Sequence, residues 1–285
     1  MNEILERLKK LDLQIENIFP VKGGDLNDTY RIESYAKKYF LKLNNAQNFP
    51  ELFEKEARGL QEIENTSILS TPKIIQHGTN DIGFQFLILE WLERTEPTFE
   101  SWEKFGRNLA ELHQISNDQF GWKEDNYIAI ILQPNNFLDN WENFYAANRI
   151  LPMVKLLFDQ KKLTQKEKKA AENLCKNLSE IFPKEKPALL HGDLWNGNIL
   201  PLQSGEIAVI DPAIYFGHRE MDLAMTSLFG GFDDRFFHAY NEVLPVQEGF
   251  EERKQFSQLF PLLVHALLFE GFYINDVQAI LKKFK

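Results

Sequence analysis

The segment His191-Gly192-Asp193-Leu194-Trp195-Asn196-Gly197-Asn198 is the strongest candidate for chemistry in this sequence. Asp193 precedes Asn198 by five residues, and Asp211 follows Asn198 by thirteen. A carboxylate can accept the proton of an attacking hydroxyl, and amide and carboxylate oxygens are ligands that Mg²⁺ prefers. Each of the three alone would be an ordinary loop residue. Together, in this order, they predict phosphoryl transfer with Asp193 as base and with Asn198 and Asp211 as metal ligands.

A lysine and a glutamate form the second candidate group. Lys42 lies between apolar neighbours in a predicted strand. Glu56 shares one stripe of a predicted helix with three apolar residues, Leu52, Leu60 and Ile63. A charge on a buried face needs a partner of opposite sign, so the two side chains are predicted to pair. Such a pair can hold a lysine against the phosphates of ATP, whereas the alternative is a surface lysine and an unrelated glutamate.

Two further segments are candidates for nucleotide contacts. The turn at Gly23-Gly24-Asp25-Leu26-Asn27 precedes Lys42, and its glycines would let the backbone approach phosphate oxygens. Taken alone, this turn would also suit an ordinary hairpin. Glu90-Trp91-Leu92 follows a predicted buried strand. The sequence alone indicates only the end of a strand there, but in a kinase architecture backbone groups at this place bind the adenine edge. These segments predict Gly23, Gly24, Asn27, Glu90, Trp91 and Leu92 as ATP-binding residues, although no Walker A motif is present.

The predicted secondary structure that must position these residues changes along the chain from mainly strands to mainly helices. The first 90 residues are predicted to be rich in strands, with one helix that opens at Pro50. The expected strands are 19–22, 29–33, 39–43 and 84–89, and the expected helix ends near Glu64. The later residues recur at helical spacing. The expected helices are 138–158, one behind a capping box at Thr164 and Glu167, 219–229, 233–241 and 255–270. One strand pair, 198–200 with 207–210, interrupts them.

This pattern predicts the α+β fold class with two lobes. A small antiparallel β-rich lobe over residues 1–90 would bind the nucleotide. A larger, mainly helical lobe over residues 91–285 would carry the catalytic and substrate groups.

Composition excludes several other classes of protein. The 285 residues carry a net charge of −10, which disfavours nucleic acid as a partner and is compatible with a cationic small substrate. One cysteine, Cys175, rules out a disulfide within the chain and a cysteine-based zinc site. Residues 1–11 resemble an amphipathic helix and no apolar run reaches 18 residues. We therefore expect a cytoplasmic protein without a membrane partner. The sequence does not determine the oligomeric state, and a monomer is favoured.

Longer segments resemble the fructosamine kinase family, within the aminoglycoside and choline kinase-like superfamily. The similar segments are GGDLNDTYRI (23–32), FEKEARGL (53–60), FLILEWLE (86–93), FGRNLAELH (105–113), HGDLWNGNIL (191–200) and IDPAIYFGHREMDLAMTSLFGGF (210–232). The resemblance implies a two-lobed protein-kinase-like fold that uses ATP and Mg²⁺. It also implies Asp193 as base, Asn198 and Asp211 as metal ligands, and Lys42 with Glu56 at the phosphates.

The same resemblance implies ketoamine substrates, which are sugars joined to amines through glycation, with phosphate placed on the third sugar carbon. Ribulosamines, erythrulosamines and fructosamines are all candidates. The alternatives are an aminoglycoside or amino-alcohol (choline-like) kinase and an inactive kinase-like binding module. A serine or threonine of a protein is disfavoured as the acceptor because Gly192 occupies the position where regulated protein kinases carry arginine. In the family's asparagine-tyrosine-isoleucine-glycine segment, Ala129 replaces the glycine.

Several residues near the candidate base have two interpretations. Trp195 would either pack on a sugar ring or serve lobe packing. His218 and Glu220 would either bind sugar hydroxyls or hold their loop rigid. Asp222 is predicted to anchor the catalytic loop, and His113 to make a structural contact on its helix.

Overall fold

The computed structural model describes residues 15–21, 27–80, 83–269 and 271–284. Their contacts group into two compact units. Unit 1 holds the residues up to Ser101 together with Gly197–Pro212, and unit 2 holds Trp102–Asn196 and the residues from Ala213 onward. The expected helix at 1–11 lies outside the described residues. The lobe limits of 1–90 and 91–285 stay a prediction.

Unit 1 is built on a five-stranded antiparallel sheet. Its strands are β1 (Asn17–Pro20), β2 (Asp28–Ser34), β3 (Lys37–Asn45), β4 (Ile74–Thr79) and β5 (Phe84–Glu90), in the spatial order β1-β2-β3-β5-β4. Four of these strands match the sequence prediction within a few residues. β4 was not predicted, because its alternate residues are only half-buried and its apolar pattern is weak.

One helix, Leu52–Asn65, accompanies the sheet in unit 1. Pro50 was expected in its first turn but lies just before the N-cap residue, Glu51. The helix buries one stripe, as its pattern predicts. The buried residues are Leu52, Phe53, Ala57, Gly59, Leu60 and Ile63. The sheet contributes a second apolar cluster of Ile32, Leu41, Leu43, Phe86 and Ile88.

The predicted strand pair late in the chain is confirmed and belongs to unit 1. Ile199–Pro201 and Ile207–Val209 pair as antiparallel strands. Gly205 forms part of the turn between them, with φ of 82°. The backbone amide of Val209 donates to Ser70 O at 2.8 Å, which ties this hairpin to the rest of the unit.

Unit 2 is mainly helical and also contains short strand pairs. The helices that lie wholly within it are Trp141–Tyr145, Leu151–Asp159, Gln165–Lys176, Leu178–Ile181, Glu220–Leu228, Asp234–Val243, Phe250–Ser257, Leu259–Leu268 and Tyr273–Leu281. A further helix, Phe99–Leu112, begins at the end of unit 1 and continues into unit 2. The strand pairs are Asn126–Ile128 with Ile131–Gln133, and Ala188–Leu190 with Tyr215–Gly217.

Two helix predictions in unit 2 need correction. The expected helix 255–270 is two helices, Phe250–Ser257 and Leu259–Leu268, with Gln258 between them, and the apolar periodicity gave no sign of this break. The expected helix 138–158 is interrupted by a π-helical turn at Ala146–Ile150. The capping box of Thr164 and Glu167 is confirmed. Across the described residues, the helices are all too short or too polar to cross a lipid bilayer.

Candidate active site

Lys42 is the central charged residue of unit 1. It lies on β3, where it pairs in register with Thr29 on β2 and Leu87 on β5, and its side chain is only 4% exposed. Its Nζ donates to Glu56 Oε1 at 2.8 Å, so the predicted ion pair is confirmed. Nζ also donates to Asp211 Oδ1, a contact that the sequence did not predict.

Burial and charge act in opposite directions on this group. Burial alone would lower the pKa of Lys42, but the Asp211 and Glu56 carboxylates together raise that pKa above its ordinary value. Burial raises the pKa of Glu56 to about 7, although Lys42 opposes this shift. The lysine is therefore a fixed cation at neutral pH, held by two acidic side chains. Such a cation is suited to binding phosphate oxygens.

Asn198 and Asp211 are brought together by the late hairpin of unit 1. The backbone amide of Ile210, one residue before Asp211, donates to Asn198 O at 3.0 Å. Asp211 has φ of 55°, in the left-handed region that residues other than glycine rarely occupy and that often marks functional sites. Its side chain is 36% exposed. The amide oxygen of Asn198 and the partly exposed carboxylate of Asp211 are ligand types that fit Mg²⁺.

Those of the remaining nucleotide candidates that the structure describes lie on the sheet or directly beside it in sequence. Asn27 accepts a hydrogen bond at 2.5 Å from Asn44 Nδ2, two residues beyond Lys42 on β3. Glu90 ends β5, and the Trp91 ring lies 6.4 Å from that of Phe40. Leu92 follows outside the helices and strands. Gly23 and Gly24 lie outside the described residues.

The loop that carries Asp193 is held by Asp222, which was predicted to anchor it. Asp222 is buried in unit 2, and its carboxylate accepts the backbone amides of His191 at 2.7 Å and Gly192 at 2.9 Å. His113 Nε2 lies 3.3 Å from the same carboxylate, and His113 Nδ1 lies 2.9 Å from the Tyr240 hydroxyl. The predicted structural role of His113 is therefore to support Asp222.

Gly192 and the His191 ring fix the path of this loop. A Cβ on Gly192 would lie 2.1 Å from Ala213 O, and the φ of 84° is also one that favours glycine. The backbone amide of Asp193 donates to His191 Nδ1 at 3.2 Å. Only glycine allows the loop to pass this close to Ala213, and Asp193 is the next residue in the chain.

Trp195 follows the candidate base by two residues. Its indole meets Phe229 edge-on, with ring centroids 5.6 Å apart, and it is partly buried in unit 2. Trp195 therefore has a packing partner and also retains solvent-accessible surface.

His218 and Glu220 are fully buried within unit 2. Arg253 donates to both carboxylate oxygens of Glu220, at 2.5–3.0 Å. His218 Nε2 lies 3.2 Å from Pro183 O, and burial lowers the pKa of His218. These contacts favour the second interpretation, in which both side chains hold their segment rigid. Arg253 was missed because nothing in its local sequence indicates a buried position.

The antiparallel sheet of unit 1 and the mainly helical unit 2 are those of the protein-kinase-like fold. An aminoglycoside phosphotransferase structure, 14% identical, superposes with a TM-score of 0.62 over 99% of this chain and 98% of its own. At that identity the likeness concerns the fold alone.

The chain belongs to the fructosamine kinase family, whose model matches residues 1–285. A protein of Synechocystis named "probable ketoamine kinase" is 38% identical, with 92% of this chain and 88% of the relative covered. The chloroplastic protein-ribulosamine 3-kinase of Arabidopsis thaliana is 33% identical, covering 94% of this chain and 82% of its own. A solved structure from Haemophilus somnus, provisionally assigned as a fructosamine-3-kinase, has a TM-score of 0.87 at 28% identity, covering 99% and 95%.

Proposed function

We propose that this protein is an ATP-dependent ketosamine 3-kinase, which phosphorylates the third-carbon hydroxyl of the sugar in a glycated amine. The observation that carries the proposal is the buried Lys42, bound by Glu56 and Asp211, in a chain of the fructosamine kinase family. The names of the ketoamine and ribulosamine kinase relatives support this substrate class. The acceptor is a ribulosamine, erythrulosamine or fructosamine, free or protein-linked.

The residues of unit 1 are assigned to the nucleotide. Lys42 binds the α- and β-phosphates of ATP, and Glu56 keeps the ammonium group oriented. Asn198 and Asp211 would hold Mg²⁺, which when bound neutralises the negative charge of the phosphates. The turn residues Gly23, Gly24 and Asn27 cover the phosphates, and the backbone of Glu90, Trp91 and Leu92 binds the adenine edge.

Asp193 is assigned to the acceptor. Its carboxylate orients the sugar hydroxyl and accepts its proton as the oxygen attacks the γ-phosphorus, while the bond to the β-phosphate oxygen breaks. Asp193 stands on a loop whose backbone amides are bound by Asp222 and by the His191 ring. That support lets the base act without reorganisation.

Phosphate on the third sugar carbon gives the product a defined fate. This carbon lies next to the ketone, so enolisation toward the amine-bearing carbon can expel the phosphate. Hydrolysis of the resulting imine then frees the amine. The proposed reaction therefore reverses glycation.

A competition series at fixed ATP tests the proposal. Ribulose-lysine, fructose-lysine, an aminoglycoside and choline are offered together, and the position of the new phosphate is read by NMR. We expect turnover of the ketoamines with phosphate on the third carbon. Selective phosphorylation of the aminoglycoside or choline would refute the ketosamine assignment. Nucleotide binding without turnover of any acceptor would instead indicate an inactive binding module.

The role of Asp193 is tested by Asp193→Asn. Since the general base contributes about 10²–10⁴-fold, the variant should lose most of its turnover, whereas its affinity for ATP should be nearly unchanged. Near-normal turnover would show that Asp193 is not the base.

A further inference from the structure

Arg149 is a buried cation for which the proposed mechanism has no use. It is 0% exposed in unit 2 and is the largest fully buried side chain among the described residues. Its hydrogen bonds within the described part of the chain go to neutral oxygens, namely Pro134 O, Asn148 O and Asn135 Oδ1. Burial lowers the pKa of Arg149 to about 10, so it stays protonated at neutral pH. Burying a cation without a bonded carboxylate is costly, and apolar packing would cost less.

Three buried amide side chains continue from Arg149. Its Nη2 donates to Asn135 Oδ1 at 2.7 Å. Asn135 Nδ2 donates to Asn126 Oδ1 at 2.9 Å, and Gln133 Nε2 donates to the same oxygen at 2.8 Å. Arg149, Asn135, Asn126 and Gln133 are called the amide network below.

The amide network ends on one short stretch of backbone. Asn126 Nδ2 donates to Ile214 O at 2.8 Å, and Gln133 Nε2 donates to Ala213 O at 3.2 Å. The Arg149 guanidinium lies over the Tyr215 ring, 4.1 Å from its centroid. Three consecutive residues, 213–215, are therefore bound by this one group of side chains.

Residues 213–215 in turn border the loop of the candidate base. The backbone amide of Ala213 donates to His191 O at 2.9 Å, and Tyr215 pairs in register with Leu190. A Cβ on Gly192 would lie 2.1 Å from Ala213 O, so no space separates the two segments. A displacement of residues 213–215 must therefore displace the loop at 191–193.

We propose that the amide network is a positioning device for phosphoryl transfer, with Arg149 as its fixed cationic end. It sets the course of residues 213–215 and thereby the position of Asp193, without contact to either substrate. This inference rests on the proposed function of Asp193.

The local backbone supports this assignment. Arg149 lies in the π-helical turn Ala146–Ile150, a feature that is often found at functional sites. Asn148, its neighbour in this turn, is also buried and donates from Nδ2 to Asn136 O at 3.0 Å. The irregular turn therefore lets two consecutive polar side chains bind the same connecting segment.

Two variants and a matched control test the inference on the full-length chain. Asn126→Ala removes the bond to Ile214 O, and Arg149→Met removes the cationic end while keeping much of the volume. Thr164→Ala breaks the capping box of the helix Gln165–Lys176 in the same unit and should cost about 1 kcal/mol of stability without affecting the network. Activity is compared at a temperature where urea titrations show every variant to be folded.

The expected result separates positioning from stability. Because a misplacement of about 1 Å can cost about 10²-fold, Asn126→Ala and Arg149→Met should lower kcat by about 10–100-fold. The KM for ATP should change by less than about 3-fold, since uniform binding is not affected. Hydrogen exchange should accelerate at residues 188–193 in both variants but not in Thr164→Ala.

A kcat and an exchange pattern for Asn126→Ala that match those of Thr164→Ala would overturn the inference. If Arg149→Met does not fold, Asn126→Ala alone tests whether the amide network positions Asp193. If the wild-type protein phosphorylates no ketoamine, the proposed function fails. The exchange measurement then still shows whether the network holds residues 188–193.

Discussion

Asp222→Asn is the substitution for which the structure gives the most direct expectation. The Asp222 carboxylate accepts hydrogen bonds from two backbone amides, the buried one of His191 at 2.7 Å and the partly buried one of Gly192 at 2.9 Å. Asparagine keeps the shape but retains only one acceptor oxygen, so its NH₂ group must face one of these N–H donors. The variant therefore loses one bond to a charged acceptor and leaves a buried donor unpaired.

The two effects can be added as an order of magnitude. A hydrogen bond to a charged group contributes about 1.5–3 kcal/mol, and a buried unsatisfied donor costs about 1–3 kcal/mol. Since the two terms overlap, we expect Asp222→Asn to lower the free energy of unfolding by about 3 kcal/mol. The freed loop carries Asp193, so kcat should also fall by about 10²-fold, with little change in the KM for ATP.

Urea denaturation followed by fluorescence measures the stability, and a coupled assay of ADP release measures kcat and KM. Asp139→Asn is the matched control, because Asp139 is exposed and pairs only with Gln119 at 2.7 Å among the contacts described. Its free energy of unfolding should change by less than about 0.5 kcal/mol. If Asp222→Asn behaves like this control in both measurements, the loop is not held as described.

Three other outcomes are expected. Lys42→Met should raise the KM for ATP in steady-state assays, because methionine carries no charge that could bind the phosphates. An unchanged KM would remove Lys42 from the phosphate site. Ala129→Gly should raise the free energy of unfolding by about 0.5–1 kcal/mol in urea titrations, because Ala129 has a φ of 55°, a left-handed conformation that glycine adopts without strain. A destabilised variant would contradict this. Burial lowers the pKa of His218, so its imidazole stays neutral in the folded protein while the unfolded chain takes up a proton. The free energy of unfolding should therefore decline as the pH falls below about 6.5, and it should decline less steeply in His218→Gln. Equal slopes of this free energy against pH in the two proteins would exclude this explanation.

The sequence was most informative where function depends on short spacing or on the burial of a charge. The Lys42–Glu56 pair was predictable because each residue lies on an apolar face, and two buried charges of opposite sign have few alternatives. The contact of Lys42 with Asp211 was not, since 169 residues separate the two and no pattern links them. Arg253, the partner of Glu220, was missed because nothing in its local sequence indicates a buried position.

The amide network was invisible to sequence reasoning for a different physical reason. Asn126 and Gln133 end on the carbonyl oxygens of Ile214 and Ala213, and every residue type carries such an oxygen. A bond from a side chain to the backbone therefore leaves no mark on the residue type of its partner. Asp222 also binds backbone groups, the amides of His191 and Gly192; its anchoring role was predicted, whereas these two partners were not.

The loop that carries Asp193 is held mainly by hydrogen bonds between side chains and backbone groups. Asp222 binds the N–H groups of His191 and Gly192, while the amide network binds the carbonyl groups of residues 213 and 214, which border the loop. Donors on the loop and acceptors beside it are thus held by separate side chains. Asp222 acts on the loop itself, and the amide network acts on the segment beside it. Neither replaces the other, so the position of Asp193 requires both.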